Sequence, residues 1–188
     1  MVSGKARVIA NEIIDLYQNH GAASPDGTGV SQFEYLMQLA QTAENLGYDE
    51  DVVLAALLQD IGQVAVAANG SGDSEEDYAE AGADFLKEKG FSKKIVRLVE
   101  STVESKRYLA YKDESYYNSL SESSRALLEK QGGKMYPEEA AAFEEYPLFD
   151  TIISVRKLDQ QVGSQHLSPP DVENIRNTII RHLVKGSF

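Results

Sequence analysis

Cysteine is absent from the chain. Its absence excludes disulfides, a thiolate metal site and a cysteine nucleophile. Basic charge is scarce: 18 Lys and Arg stand against 30 Asp and Glu, a formal net charge of -12 at pH 7. Nucleic acid and anionic membrane surfaces both call for a basic footprint, so neither is expected as a partner. A few local cations can still hold a small anion. Long apolar runs are missing too. The run Val52 to Leu58 falls far short of the roughly 20 residues that cross a bilayer. Met1 to Asn11 lacks the apolar core of a signal peptide. A soluble, cytoplasmic protein is the expectation. There is no strand-like alternation, no internal repeat and no linker long enough to split the chain.

What remains is helical spacing. The 188 residues, 42% of them apolar, suit one domain with a real core. Ile9, Ile13, Leu16 and Tyr17 share one helical face. His20 to Val30 is a glycine-rich loop. Ser31-Gln32-Phe33-Glu34 fits a capping box that opens a second helix. Phe33, Leu36, Met37 and Ala40 form one stripe on it; Tyr35, Leu39 and Leu46 form another, so burial on two sides is expected. Gly47 ends it, and the next helix begins near Asp49. Ser74 is placed to cap a helix carrying Tyr78, Gly82, Phe85 and Leu86, which Gly90 ends. Ser92 opens one helix running through Ile95, Val99, Thr102 and Lys106. Lys112 to Ser124 reads as a tyrosine-rich loop, and Gln131-Gly132-Gly133 as a flexible connector. Pro137 opens a short helix, and Ser168-Pro169-Pro170-Asp171 starts a last one with Val172, Ile175, Ile179 and Leu183. The fold class is all-α, a single helical domain over residues 1–188.

Two acids stand out. The run Val52 to Leu58 ends in Gln59-Asp60-Ile61-Gly62 and reads as a buried helix that carries Gln59 and Asp60 into the interior. A buried carboxylate is costly unless it is paired, hydrogen-bonded or bound to a metal. Ile152, Val155 and Val162 mark another apolar face, and Asp159 falls on it, so a second acid is expected to point inward. Lys106 and Arg156 also stand near apolar faces. The pattern fits a polar pocket. It also fits carboxylates that cap a neighbouring helix or pair with Lys or Arg.

A resemblance sharpens this. Val30-Ser31-Gln32-Phe33-Glu34-Tyr35, Ala55 to Gly62, Glu80-Ala81-Gly82-Ala83, Ser105-Lys106-Arg107-Tyr108-Leu109, Leu128 to Met135, Ala142-Phe143-Glu144 and Arg156-Lys157-Leu158-Asp159 occur in an order that resembles the HD-domain superfamily. Within it, the sequence is similar to the phosphonate-cleaving mixed-valence di-iron oxygenases, over roughly residues 5 to 165. The resemblance implies an HD-domain-like helical bundle.

It also implies a site, and there the chain departs from its relatives. That family holds two irons with four histidines and two aspartates. The histidine positions fall at Tyr35, Gln59, Tyr78 and Thr102, while Asp60 and Asp159 keep the aspartates. A further, substrate-associated histidine falls at Gln63, and the tyrosine and glutamate that gate the family's site fall at Pro25 and Thr28. His20, His166 and His182 match none of these positions. Imidazole is the ligand that suits iron in a nitrogen–oxygen site, so no di-iron centre, no resident metal and no other cofactor are expected. A single hard ion on Asp60 and Asp159 stays open.

The replacements are polar, so a ligand-binding set of Tyr35, Gln59, Gln63, Tyr78, Thr102, Lys106, Gln131 and Arg156 is expected, with Asp60 and Asp159 as the candidate catalytic acids. Lys106 and Arg156 match positions near the relatives' anionic group. They either hold an anion here or neutralise the two acids. Gln131-Gly132-Gly133 offers backbone N–H groups to an anion or simply makes a turn. Three functions follow: a metal-free pocket for a small organic ligand, anionic or neutral; a metal-independent isomerase, lyase or cyclase using Asp60 or Asp159 as general acid or base; or an interaction protein with a filled relic pocket.

Overall fold

Ser31 fixes the start of a helix through both halves of a capping box: its hydroxyl accepts from Glu34 N, and its own N–H donates to Glu34 Oε2 at 2.9 Å. Such local devices set most of the boundaries in the computed structural model, which describes residues 2–21, 29–70, 78–162 and 171–186. Among these residues there are twelve α-helices and no strand. They are α1 (Val2–His20), α2 (Gln32–Asn45), α3 (Glu50–Leu58), α4 (Ile61–Ala68), α5 (Tyr78–Lys89) and α6 (Lys93–Glu100). After them come α7 (Thr102–Lys112), α8 (Glu114–Ser119), α9 (Glu122–Lys130), α10 (Pro137–Glu144), α11 (Phe149–Lys157) and α12 (Val172–Lys185). A 3₁₀ turn, Leu158–Gln160, follows α11.

The fold is a single all-α domain organised around α3. Asp49 caps it, and Val52 to Leu58 are all buried. A helix that is apolar all round has to be covered all round, and α3 packs against α2, α6, α11 and α12. Burying a leucine such as Leu54 or Leu57 stabilises by about 2 kcal/mol. No single helix among the described residues is long and apolar enough to cross a membrane; α3 and α4 together would be, but they bend by 43° at their junction.

Several boundaries differ from the sequence expectation. The central helix does not carry Asp60 into the core, because it breaks at Gln59–Asp60, where Asp60 takes φ -105°, ψ 12°. The helix opened by Ser92 breaks at Ser101. There the Ser101 and Thr102 hydroxyls bond back to Arg97 O and Val99 O, at 2.6 and 2.7 Å, which competes with the helical ladder. Lys112 to Ser124 is not a loop: Asp113 and Ser121 cap α8 and α9. Tyr35 and Leu46 do not bury a second side of α2; they are 37% and 42% exposed. The expected cap Ser74, the positions Pro25 and Thr28, the segment Ser168 to Pro170 and His166 lie outside the described residues.

The tyrosines of α7 and α8 divide between core and surface. Tyr108 and Tyr116 are buried. Tyr108 meets Phe143 and Phe149 edge-on, and those two rings meet each other at 5.4 Å. This aromatic knot ties α7 and α10 to α11, and so sets where Arg156 stands. The Gly132-Gly133 turn does not offer its N–H groups outward. They bond to Glu129 O and Leu128 O and close α9, at φ +106° and +68°, a conformation glycine adopts without strain.

Candidate functional site

The break between α3 and α4 turns two polar residues towards α2 and α11. Gln59 Oε1 accepts from Arg156 Nη2 at 2.7 Å. Asp60 Oδ2 accepts from Gln32 Nε2 at 3.3 Å, and the same amide donates to Gln63 Oε1 at 2.8 Å. The 3₁₀ turn after α11 brings in Asp159, whose Oδ2 accepts from Arg156 Nη2 at 3.0 Å and whose Oδ1 accepts from the Tyr35 hydroxyl at 2.8 Å. One cluster thus joins α2, the α3–α4 break, α11 and the 3₁₀ turn.

Its electrostatics are those of two cations facing two acids. Burial is the largest single influence and works against the Arg156 charge, but Asp159, Tyr116, Asp60 and Tyr35 together outweigh it, so the guanidinium is held charged. Lys106, half-buried on α7, goes the other way. Desolvation, then the neighbouring Arg156 charge, pull its amine down to about 8 against the opposing fields of Asp60 and Asp159. Among the described residues none hydrogen-bonds or ion-pairs with Lys106 Nζ. Burial and the Asp159 charge push the Tyr35 hydroxyl well above its ordinary value, so it stays a proton donor to Asp159. Burial also raises Tyr116.

Seven of the residues expected from sequence meet here: Tyr35, Gln59, Asp60, Gln63, Lys106, Arg156 and Asp159. The two acids are not buried as expected. Asp60 is half-exposed, and the Asp159 side chain is 35% exposed, because the 3₁₀ turn leaves the inward face of α11. The cluster runs from buried Gln32, Gln59 and Arg156 to a rim at Asp60, Gln63 and Asp159 that faces solvent. Three other residues are not joined to it by any hydrogen bond. Thr102 spends its hydroxyl on Val99 O. The Gln131 side-chain oxygen is buried without a partner beside the α9 cap. Tyr78 meets the cluster's neighbourhood through its backbone, which lies against Gly62. Sequence reading missed Gln32, which serves both Asp60 and Gln63. Its signal was available: it stands three residues before Tyr35, on the same face of α2.

No protein-family model matches the chain. An uncharacterized protein of Acanthamoeba polyphaga mimivirus is 34% identical over 181 residues, 94% of this chain and 83% of its own length. A 1-hydroxy-2-(trimethylamino)ethylphosphonate dioxygenase (glycine-betaine-forming) of Leisingera caerulea is 36% identical over 159 residues, 83% of this chain and 81% of its own. A hydroxymethylphosphonate dioxygenase of Gimesia maris is 30% identical over 171 residues, 89% and 84%. The chain belongs to the phosphonate dioxygenase family of HD-domain proteins.

Membership in the phosphonate dioxygenase family accounts for the helical frame. It leaves open why a lysine that bonds to no described residue sits beside an arginine, which has a measurable consequence. Because the Lys106 amine titrates near 8 when folded and near 10.4 when unfolded, the unfolded chain binds more protons between those values. Stability from this group therefore rises as pH climbs from about 8 to about 10.4, and its cost is fully present below 8. Lys106→Met is expected to stabilise the protein at pH 7 in urea unfolding. The gain should shrink towards pH 10. A gain independent of pH would contradict the assignment.

Proposed function

We propose that the chain binds a small organic anion of the phosphonate class at the Arg156–Lys106 end of the cluster, without an iron pair and without the oxidation named for its relatives. The observation that carries this reading is the pairing of a buried guanidinium, Arg156, with the half-buried, unbonded amine of Lys106, beside the more exposed Asp60 and Asp159. Cation-to-phosphonate hydrogen bonds are the strong kind, and a short-range pair of cations suffices in an acidic protein.

The donor set does not suit the two irons that the resemblance implies. The matching positions carry Tyr35, Gln59, Tyr78 and Thr102 instead of imidazoles. Both Asp159 oxygens are engaged, one by Tyr35 and one by the Arg156 guanidinium at 3.0 Å. That guanidinium already supplies positive charge to a carboxylate that would otherwise face a metal. Among the described residues no three His, Cys, Asp or Glu side chains gather closely enough to hold a metal ion. A neutral amide and an alcohol are poor substitutes for imidazole on iron.

The test is a titration of methylphosphonate into the full chain after chelator treatment, followed by NMR or calorimetry. Saturable binding is expected, weakened by salt and reduced roughly tenfold or more in Arg156→Met, since a charge-assisted bond contributes about 1.5–3 kcal/mol. Absence of binding at millimolar concentration would contradict the proposal and favour a relic site that only holds helices together.

A further inference from the structure

We propose that Lys106 forms a reversible imine with the carbonyl group of a small oxo-acid bound at this rim. The inference rests on the anion-binding reading above and narrows its ligand to a molecule carrying both an anionic group and a carbonyl.

The geometry separates Lys106 from every other polar group in the cluster. Gln32 is committed to Asp60 and Gln63, Tyr35 to Asp159, and Arg156 to Gln59 and Asp159. Lys106 is the one donor residue of the cluster that makes no hydrogen bond or ion pair to any described residue, while Arg156, bonded through Nη2, keeps a buried Nε without a partner. Its stem rises from a turn of α7 anchored in the core by Ser105 and Leu109, 2% and 3% exposed, so its backbone is fixed while its amine is not tied up. A lysine kept only to neutralise Asp60 and Asp159 would be expected to touch one of them. This one stands in their field without contact.

The chemistry needs a neutral amine, a nearby cation and a proton carrier. Arg156 beside Lys106 disfavours the ammonium form and attracts the ligand's anionic end. With its amine lowered to about 8, Lys106 is neutral in about a tenth of chains at pH 7, against fewer than about one in a thousand for an ordinary lysine. The amine nitrogen attacks the carbonyl carbon, giving a carbinolamine. The carbonyl oxygen then leaves as water, taking up the proton released from nitrogen and one more relayed by the Asp60 or Asp159 carboxylate. Amine, carbonyl and one proton drawn from solvent through that carboxylate give protonated imine and water. No metal, oxidant or reductant enters the balance.

The full chain is to be incubated with pyruvate or glyoxylate, reduced with borohydride and mapped by peptide mass spectrometry. One secondary-amine adduct per chain, located on Lys106, is expected. Lys106→Arg, which keeps the charge, should lose it completely while retaining its helical circular dichroism. Methylphosphonate, which has no carbonyl, should protect Lys106 from labelling. No adduct, or labelling spread over surface lysines and unchanged in Lys106→Arg, overturns the proposal. Methylphosphonate binding with Lys106 unlabelled sinks the imine and leaves the anion site standing. Loss of both sinks the anion site as well.

Discussion

Gly62→Ala is expected to destabilise the protein by about 3 kcal/mol or more. A Cβ at this position would lie 1.9 Å from the Tyr78 carbonyl oxygen and 2.6 Å from Gly82 N. Both are backbone atoms of α5, so no side chain can swing away to make room. The clash can be relieved only by separating α4 from α5, which would uncover the buried residues around Ile61 and Val64. Two alanine variants serve as controls. Gly82→Ala meets contacts of 3.1 to 3.3 Å, a mild overlap set against a helix-propensity gain of about 1 kcal/mol, and should change stability far less. Gly4→Ala meets nothing within 4 Å and should stabilise by roughly 0.5–1 kcal/mol. Urea unfolding of the three variants checks the series. A Gly62→Ala cost no greater than that of Gly82→Ala would contradict the close α4–α5 crossing. Because Gly62 stands two residues after Asp60, the same variant should also disturb the cluster.

Arg156→Met carries the second large effect, about 2–3 kcal/mol of stability. The side chain is 7% exposed and bonds Gln59 Oε1 and Asp159 Oδ2. Methionine fills much of the volume, so the loss is not chiefly a cavity. The cost is the desolvated Gln59 oxygen left without a donor. Asp159 suffers less, since its side chain is 35% exposed and keeps the Tyr35 hydroxyl. The Lys106 amine should move back up towards its ordinary value once the Arg156 charge is gone, so the pH dependence assigned to Lys106 should flatten in this background. Arg156→Lys should not rescue, because an ammonium lacks the planar fork. A change below about 0.5 kcal/mol would mean that Gln59 does not depend on this bond.

The fold was largely legible where a boundary has its own chemistry. Ser31, Asp49, Ser92, Pro137 and Asp171 each sit at a helix start with side-chain or backbone reasons for being there. Gly47 and Gly90 end helices at φ +81° and +88°. The breaks at Gln59–Asp60 and Ser101 were not legible, because apolar periodicity runs through both and neither contains glycine or proline. α8 and α9 were missed because short polar helices offer little periodicity, although Asp113 and Ser121 are good caps. In the site, residue identity was readable and depth was not. Asp159 shares the phase of Ile152 and Val155 on paper, but a 3₁₀ turn shifts that phase within three residues. Gln32 was readable only from its place three residues before Tyr35 on α2. The joining of Tyr35, Gln59, Arg156 and Asp159 depends on four segments meeting, which no local pattern encodes.

The most direct test of a family frame without its iron pair is elemental analysis of the full chain. The protein would be expressed with iron and manganese supplied and purified without chelator. Iron far below one atom per chain is expected, in a protein whose circular dichroism is unchanged by chelator and which still binds methylphosphonate. Two irons per chain, released by chelator together with activity on a phosphonate, would contradict that reading and return Tyr35, Gln59, Asp60 and Asp159 to the role of an unusual ligand set.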